Sequence, residues 1–348
     1  MKKLSVHLVT WNGEKYISYL FDSLKKQSFG DWKLLILDNG STDKTVEKIK
    51  EEIVDFPVEV ELIENNDNLG FAKGHNTLVK SQKSKVKSQY ILLLNQDMYL
   101  EEDCLENLVK FMDENKDASV VSPRLMKWNF EKDDIGNLQN SFTDIVDTLG
   151  LKVSRSRRVT EISTGENYSE ILSAGRHGKN LKFEIKEVFG VSGAMPLFRK
   201  KVIDEVGLFD ESFGSYKEDV DLAFRLRSAG HKAFVLFDAV AFHDRTAVGT
   251  NKLSIKNKKN QSDFVQYNSY RNHLITILKN EYWQNYLLDF FWIEWYELRK
   301  FFYFILFDKK VLRGIKDMIK MSSTISDERS KIKNLRKIGW REIRKWFR

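Results

Sequence analysis

Up to Asp97 the chain alternates short β-prone apolar runs with segments of helical spacing, and this alternation leaves few folds open to it. Leu4 to Thr10 is an apolar run, Tyr16 to Gln27 carries apolar residues at helical spacing, and Trp32 to Leu37 is a second run that ends at Asp38. The pattern then repeats. Thr42 to Glu52 reads as a helix, Val58 to Glu64 as a strand, Ala72 to Ser81 as a helix, and Tyr90 to Leu94 as a strand ending in Asn95-Gln96-Asp97. Strands joined through helices return to the same edge of a sheet, so the expected fold is α/β, a mostly parallel sheet flanked by helices. Ligands of such sheets collect beyond the carboxyl ends of the strands. The polar residues gather at those ends: Thr10-Trp11-Asn12, Asp38-Asn39-Gly40-Ser41-Thr42-Asp43, and Asn95-Gln96-Asp97.

At that edge Asp38 can accept a hydrogen bond from a base N–H, Thr10 and Asn12 can hold a base or ribose, and Asp97 can ligate a hard divalent cation bridging phosphates. Together they describe a nucleotide pocket. Each also has a local meaning, since Asp38-Asn39-Gly40-Ser41 is good turn chemistry and Ser41 or Thr42 can cap the next helix. No Gly-x-Gly-x-x-Gly follows the first strand and no Gly-x-x-x-x-Gly-Lys-Ser/Thr occurs, which argues against dinucleotide oxidoreductases and P-loop NTPases.

A second dense feature lies further on. Gly207-Leu208-Phe209-Asp210-Glu211 and Tyr216-Lys217-Glu218-Asp219-Val220-Asp221 place Asp210, Glu218, Asp219 and Asp221 between segments that read as buried. Crowded carboxylates repel, so such a cluster persists where a cation, a hydrogen-bond network or a reaction uses it. A solvated helix start would carry the same residues, because acids favour the first turn.

The 348 residues suffice for a large buried core, and the single cysteine, Cys104, excludes an internal disulfide and a cysteine-built zinc site. A reducing cytoplasm fits this usage. Met1-Lys2-Lys3 resembles the start of a signal peptide, but Trp11-Asn12-Gly13-Glu14-Lys15 interrupts the apolar run. The formal net charge of +7 is concentrated at the end of the chain: Lys309 to Arg348 holds fourteen Lys or Arg against four Asp or Glu, so the preceding part is net acidic. Trp340, Trp346 and Phe347 interleave there with Lys337, Arg341, Arg344, Lys345 and Arg348. That pattern suits a helix lying in an anionic bilayer interface and argues against nucleic acid as partner. Tyr286 to Phe307 is aromatic-rich but holds Asp289, Glu294, Glu297, Arg299 and Lys300, too many charges for a membrane span. Leu288, Phe291, Trp295, Leu298, Phe302 and Ile305 recur at helical spacing there, a stripe suited to core packing or to a homo-oligomer contact.

Between Lys127 and Lys182 lies a polar, charge-mixed insertion with Arg155-Ser156-Arg157-Arg158 and Ser173-Ala174-Gly175-Arg176-His177-Gly178. It reads either as an acceptor-side flap that orders on donor binding or as a plain disordered loop. The arginine run can meet a lipid phosphate or simply be solvated.

The blocks Val9-Thr10-Trp11-Asn12, Asp38 to Asp43, Asn68-Leu69-Gly70-Phe71-Ala72-Lys73-Gly74-His75-Asn76, Leu94 to Asp97 and Ser192-Gly193-Ala194, with the Gly207 and Glu218 blocks, together resemble a family 2 glycosyltransferase of the bacterial rhamnosyltransferase-like branch. The resemblance covers residues 1–280, and it implies a GT-A fold, a nucleotide-sugar donor, a Mg or Mn ion and inversion at the anomeric carbon. Residues 1–125 would be the nucleotide-binding half, 126–182 the flap and 183–280 the acceptor-side half; 281–348 would be a membrane-associating or oligomerising helical region.

Carried onto this sequence, the resemblance assigns the base to Asp38, and the nucleotide and its diphosphate to Thr10, Trp11, Asn12, Asn39, Asn68, Gly70, Lys73, Asn76, Asn95 and Gln96. Asp97 becomes the metal ligand, with His243 in Ala241-Phe242-His243-Asp244-Arg245 a second ligand or a structural histidine. Asp219 becomes the general base, Glu218 and Asp221 orient the acceptor, and Ser192, Gly193, Ala194 and Arg271 meet the acceptor or the diphosphate. Three positions depart from the pattern: Asn95 where an Asp is usual, Lys73 where Arg is usual, and Gly214 where an aromatic is common.

The expected function is transfer of a sugar, rhamnose from a dTDP donor in the first instance, to a lipid-linked cell-surface glycan such as one on polyprenyl diphosphate, at the inner face of the plasma membrane. A UDP-sugar donor with another acceptor is the alternative. An inactive glycan-binding relative would suit Asn95 but not the intact Glu218-Asp219-Val220-Asp221.

Overall fold

The computed structural model describes residues 2–81, 88–132, 138–174, 185–245 and 263–348. In chain order these form β1 (Leu4–Thr10), α1 (Glu14–Lys25), β2 (Trp32–Asp38), α2 (Thr45–Glu52), β3 (Val60–Glu64), α3 (Gly70–Lys80), β4 (Tyr90–Asn95), β5 (Met98–Leu100), α4 (Cys104–Glu114) and β6 (Ala118–Trp128). There follow β7 (Phe142–Thr148), β8 (Leu151–Val153), β9 (Val159–Glu161), α5 (Tyr168–Ser173), β10 (Ile185–Val188), β11 (Leu197–Arg199), α6 (Lys200–Val206), α7 (Glu218–Ser228) and β12 (Lys232–His243). The helical end comprises α8 (Asp263–Asn280), α9 (Trp283–Phe307), α10 (Arg313–Lys320), α11 (Ser322–Leu335) and α12 (Trp340–Arg344).

One large mixed sheet runs in the order β10-β12-β6-β11-β4-β1-β2-β3, with β5 pairing β12 and β7 pairing β6. Strands β3, β2, β1 and β4 are mutually parallel, as the helical crossovers require. β11 is antiparallel to both of its neighbours, and β12 is again parallel to β6. Helices cover both faces, so the central strands read as continuous apolar runs; Leu4, Val6, Leu8, Leu34, Ile36, Leu92 and Leu94 are fully buried in one core. Each such side chain contributes about 1.5–3 kcal/mol by leaving water.

Register carries the motifs to a common edge. Thr10 lies opposite Asp38 in the β1–β2 pair, Val9 opposite Asn95 in β1–β4, and His243 opposite Met98 where β12 meets β5. The ends of β1, β2, β4 and β12 therefore meet one another.

Two expectations are corrected. The described part of the 126–182 insertion is built into the core: β7 extends the sheet beside β6, β8 and β9 pair, and Trp128 packs edge-on against Tyr19 and Phe130. Gly175 to Gly178 lie outside the described residues. The arginine run is no solvated patch, because Arg157 is fully buried with Nε 2.5 Å from Glu281 and Nη1 3.0 Å from Asp289. The second correction concerns the last residues. Trp346 and Phe347 pack with Phe189 and Phe224, Arg227 stacks over Trp346 at 4.1 Å, and Arg344 pairs with buried Asp289. The alternation of aromatic and basic residues at the C-terminus thus reflects packing, partly cation–π, against α7 and Phe189 instead of a free interfacial helix.

Candidate active site

At the ends of β1 and β2, Thr10 Oγ1 donates to Asp38 Oδ1 at 3.1 Å, and Ser41 donates to the same carboxylate through its N–H at 2.9 Å and its hydroxyl at 2.6 Å. Asp38 is thereby fixed by its own turn, with lone pairs to spare for a base. Asn12, at φ +47°, accepts from Thr42 N at 2.8 Å and joins the two loops. Gln96 pairs with the Trp11 backbone in both directions, at 2.9 and 3.1 Å, leaving the Trp11 ring half exposed at the rim. A Cβ on Gly13 would sit 2.3 Å from Gln96 Oε1, so any other residue there displaces the Gln96 side chain from this contact.

Several residues assigned to the donor serve its scaffold. Asn39 donates to Asn68 Oδ1 at 2.9 Å and accepts from Leu69 N at 2.9 Å, and Asn68 Oδ1 also accepts from Gly70 N at 2.8 Å. This clamp sets the N-terminus of α3, where Gly70 takes φ +77°. Asn76 is buried and bonds both the N–H and the C=O of Phe209, at 3.1 and 2.8 Å, so it pins α3 to the Gly207 turn and does not line the pocket. Lys73 is exposed one turn along α3, and its ammonium has no hydrogen-bond partner among the described residues.

At the end of β12, His243 Nε2 lies 3.4 Å from Asp97 Oδ1, while Nδ1 lies 2.9 Å from Asp147 Oδ2. The backbone locks this arrangement through Asp244 N, which donates to Asp97 O at 3.0 Å. Burial opposes a charge on His243, yet Asp97 and then Asp147 raise its pKa to about 10. Arg245 continues the chain of charges to Glu161 and lies 3.6 Å from Asp147. No group of three or more His, Cys, Asp or Glu side chains forms a complete cation cage among the described residues. What is present is Asp97 oxygen beside the proton-bearing Nε2 of His243, a pair that would offer two donors to a cation displacing that proton, with the imidazole oriented from behind by Asp147. That donor set fits a divalent cation, since metal-bound histidines characteristically hold their other nitrogen in such a bond. Asp147 and Glu161 escaped the sequence reading; the acid inside the apolar run Ile145-Val146-Asp147-Thr148-Leu149 was the available signal.

The acids of the Gly207 and Glu218 blocks are sorted by their surroundings. Lys279, itself buried, places Nζ 2.5 Å from Asp210 Oδ2 and 3.1 Å from Asp221 Oδ1. Asp221 also binds Arg225 at 2.8 Å and Asn280 at 2.8 Å. Burial would raise the Asp221 carboxyl, but Lys279 and Arg225 hold it below the usual carboxylate range. Asp221 is therefore a positioning residue that ties α7 to α8, and the acceptor-orienting role expected for it is withdrawn. Glu218 is buried with Oε2 unpartnered, and burial followed by the neighbouring Asp219 raises its pKa to about 8.

Asp219 differs from the other three. It is half-buried, accepts from Gly193 N at 3.3 Å and Val220 N at 2.7 Å, and makes no ion pair among the described residues. It borders a small apolar gap, with room for about one water, together with Ser192, Gly193, Phe209 and Leu222, and is the ionisable group in that lining. Ala194 O accepts from Asn95 N at 3.0 Å, so the Ser192-Gly193-Ala194 loop bridges Asp219 to the β4 end.

The backbone entering α7 is held in a costly shape, with Tyr216 at φ +72° and Lys217 at φ +70°. Such residues cost on the order of 1–3 kcal/mol each. Buried Asn272 restrains them by donating to Phe213 O, Ser215 O and Tyr216 O at 2.9, 3.1 and 2.7 Å. Arg271 donates to Ser212 O at 3.0 Å and so braces this loop from α8, in place of the diphosphate contact expected of it.

Comparison with known proteins bears on this geometry directly. Residues 5–207, more than half of the chain, match the description Glycosyl transferase family 2. The chain belongs to this family. Over 117 residues it is 30% identical to poly(ribitol-phosphate) beta-N-acetylglucosaminyltransferase TarS of Staphylococcus aureus, covering 33% of this chain and 20% of that protein. The match thus spans about a fifth of the relative's length. The structure of S. aureus TarS 1-349 in complex with UDP-GlcNAc aligns with TM-score 0.53 at 17% identity, over 96% of this chain and 89% of that one. GalNAc-T7 with UDP, GalNAc and Mn2+ aligns with TM-score 0.57 at 13% identity, over 80% and 48% of the two chains. The fold of this family 2 glycosyltransferase is therefore GT-A, with a C-terminal helical part.

Proposed function

We propose that this glycosyltransferase is an inverting, divalent-cation-dependent hexosyltransferase that moves a sugar from a pyrimidine nucleotide onto a hydroxyl of a lipid-linked cell-envelope glycan. The observation that carries the reading is the sorting of the acids: Lys279 engages Asp210 and Asp221, burial favours the neutral form of Glu218, and Asp219 is left half-exposed without an ion pair among the described residues. Asp219 takes the proton of the acceptor hydroxyl as that oxygen attacks the anomeric carbon from the side opposite the departing diphosphate, which inverts the centre. Positioned general bases of this kind contribute about 10² to 10⁴ in rate.

Asp38 accepts from the base, Trp11 offers it a ring at the rim, and Lys73 meets the diphosphate as a point charge. Mg or Mn, held by Asp97 and His243, would supply Lewis-acid neutralisation of the charge that builds on the leaving oxygens. Asn95 offers at most a neutral oxygen there, so donor-free metal binding is weak.

For the donor, two readings stand. The motif resemblance supports dTDP-rhamnose, and the 30% identity to an N-acetylglucosaminyltransferase supports a UDP-N-acetylhexosamine. We favour the UDP-sugar on that likeness. A thermal-shift screen against nucleotide sugars with Mg, Mn and chelator separates them. A metal-dependent shift with UDP-N-acetylglucosamine supports the favoured donor, one with dTDP-rhamnose promotes the other, and no shift with any nucleotide sugar contradicts the assignment.

A further inference from the structure

Helix α9 is bound on one side and bare on the other. Its inner side is anchored by buried Asp289, which pairs with Arg155, Arg157 and Arg344, by Asn285 donating to Trp340 O at 2.9 Å, and by Glu297 against His273 at 2.7 Å. Along its outer side Trp283, Leu287, Phe291, Trp295, Phe302 and Leu306 follow one another at spacings that keep them on one face. Phe291 is 84% exposed, Leu306 73% and Trp295 67%, so the stripe is open along the 25-residue helix, about 37 Å at 1.5 Å per residue. An apolar patch of that extent signals an interaction surface.

The charges around it identify the partner. Two of the three acids of α9 are withdrawn from this face, Asp289 by burial among arginines and Glu297 by pairing with His273 and Lys300, while half-buried Glu294 accepts from Tyr286. Arg299, exposed on the helix itself, and Arg155, whose guanidinium lies 5.1 Å from the Trp292 ring, stand at the stripe's margin. Lys309, Lys310, Arg313 and Lys316 follow directly after it and are exposed. A second copy of the same face would oppose cation to cation, whereas an anionic lipid surface complements both the apolar stripe and its basic margin. Exposed tryptophans suit the headgroup level. No helix among the described residues is long and apolar enough to cross a membrane, so a bilayer contact through α9 would run along the surface plane.

We propose that α9 seats this protein on an anionic bilayer, with the Phe291–Trp295 face in the headgroup and acyl boundary. The inference is independent of the reaction assigned to the active site. The test is co-sedimentation of the full chain with phosphatidylcholine vesicles containing or lacking phosphatidylglycerol, alongside its mass in solution. The wild type binds the anionic vesicles and is released by salt, and Phe291→Ser with Trp295→Ser weakens binding about tenfold or more with an unchanged melting temperature. Leu306→Ser, at the far end of the stripe, gives a smaller loss and serves if the double variant misfolds. No binding to anionic vesicles, binding undiminished in these variants, or a wild-type dimer that the variants convert to monomer would each overturn the proposal, the last by showing that a second copy covers the stripe.

Discussion

His243 Nε2 stands 3.4 Å from Asp97 Oδ1, the separation across which the two residues are proposed to share one cation. The two residues are far apart in the sequence and meet because β12 pairs antiparallel with β5. If this edge is the cation site, Asp97→Asn and His243→Ala each abolish the Mn-dependent part of nucleotide-sugar binding, measured by calorimetry with and without chelator. Asp147→Asn, acting behind the imidazole, weakens Mn binding about 10–100-fold and leaves the fold intact. Equal Mn dependence in wild type and Asp97→Asn would place the cation elsewhere.

Lys279 holds two buried carboxylates at once, so its loss leaves both without their shared counter-charge. Lys279→Met is expected to destabilise the protein by about 3–5 kcal/mol in denaturant unfolding, because removing one partner strands buried charge. A cost below about 1 kcal/mol would show that Asp210 and Asp221 find other partners.

Glu218 sets a pH dependence of stability. Its pKa rises from 4.5 to about 8 in the folded protein, so between those values the folded chain keeps a proton that the unfolded chain has released. Stability contributed by this group therefore falls as pH rises through that window. Glu218→Gln cannot lose the proton. The difference in melting temperature, variant minus wild type, should grow more positive from about pH 5 to about pH 8. A difference that stays flat across that range would mean Glu218 is ionised throughout.

Much of the fold was legible because burial on both faces of parallel strands leaves a direct trace in the sequence. Leu4 to Thr10 was read to the residue, and the polar groups at the strand ends fell where the sheet places them. Less visible were contacts made by a single side chain across the chain. Nothing around Lys279 announces partners at positions 210 and 221, and Asp147 hid in a segment whose other residues read as loop. Asn39, Asn68, Asn76 and Gln96 each hold a loop in the structure, a use the sequence does not separate from holding a ligand, since both call for the same side chains. The aromatic and basic C-terminus misled for a related reason: Arg227 over Trp346 and Arg157 over Phe347 use the same residue types that an interfacial helix would.

The assignment of Asp219 as the base, with Lys279 holding Asp210 and Asp221 and burial keeping Glu218 neutral, carries the proposed mechanism. It is tested most directly by Asp219→Asn, with donor binding followed by calorimetry and turnover followed as nucleoside diphosphate released from the nucleotide sugar identified by the thermal-shift screen. Donor affinity is expected within about twofold of wild type and turnover lower by about 10² or more. Turnover close to wild type with the asparagine in place would contradict that assignment.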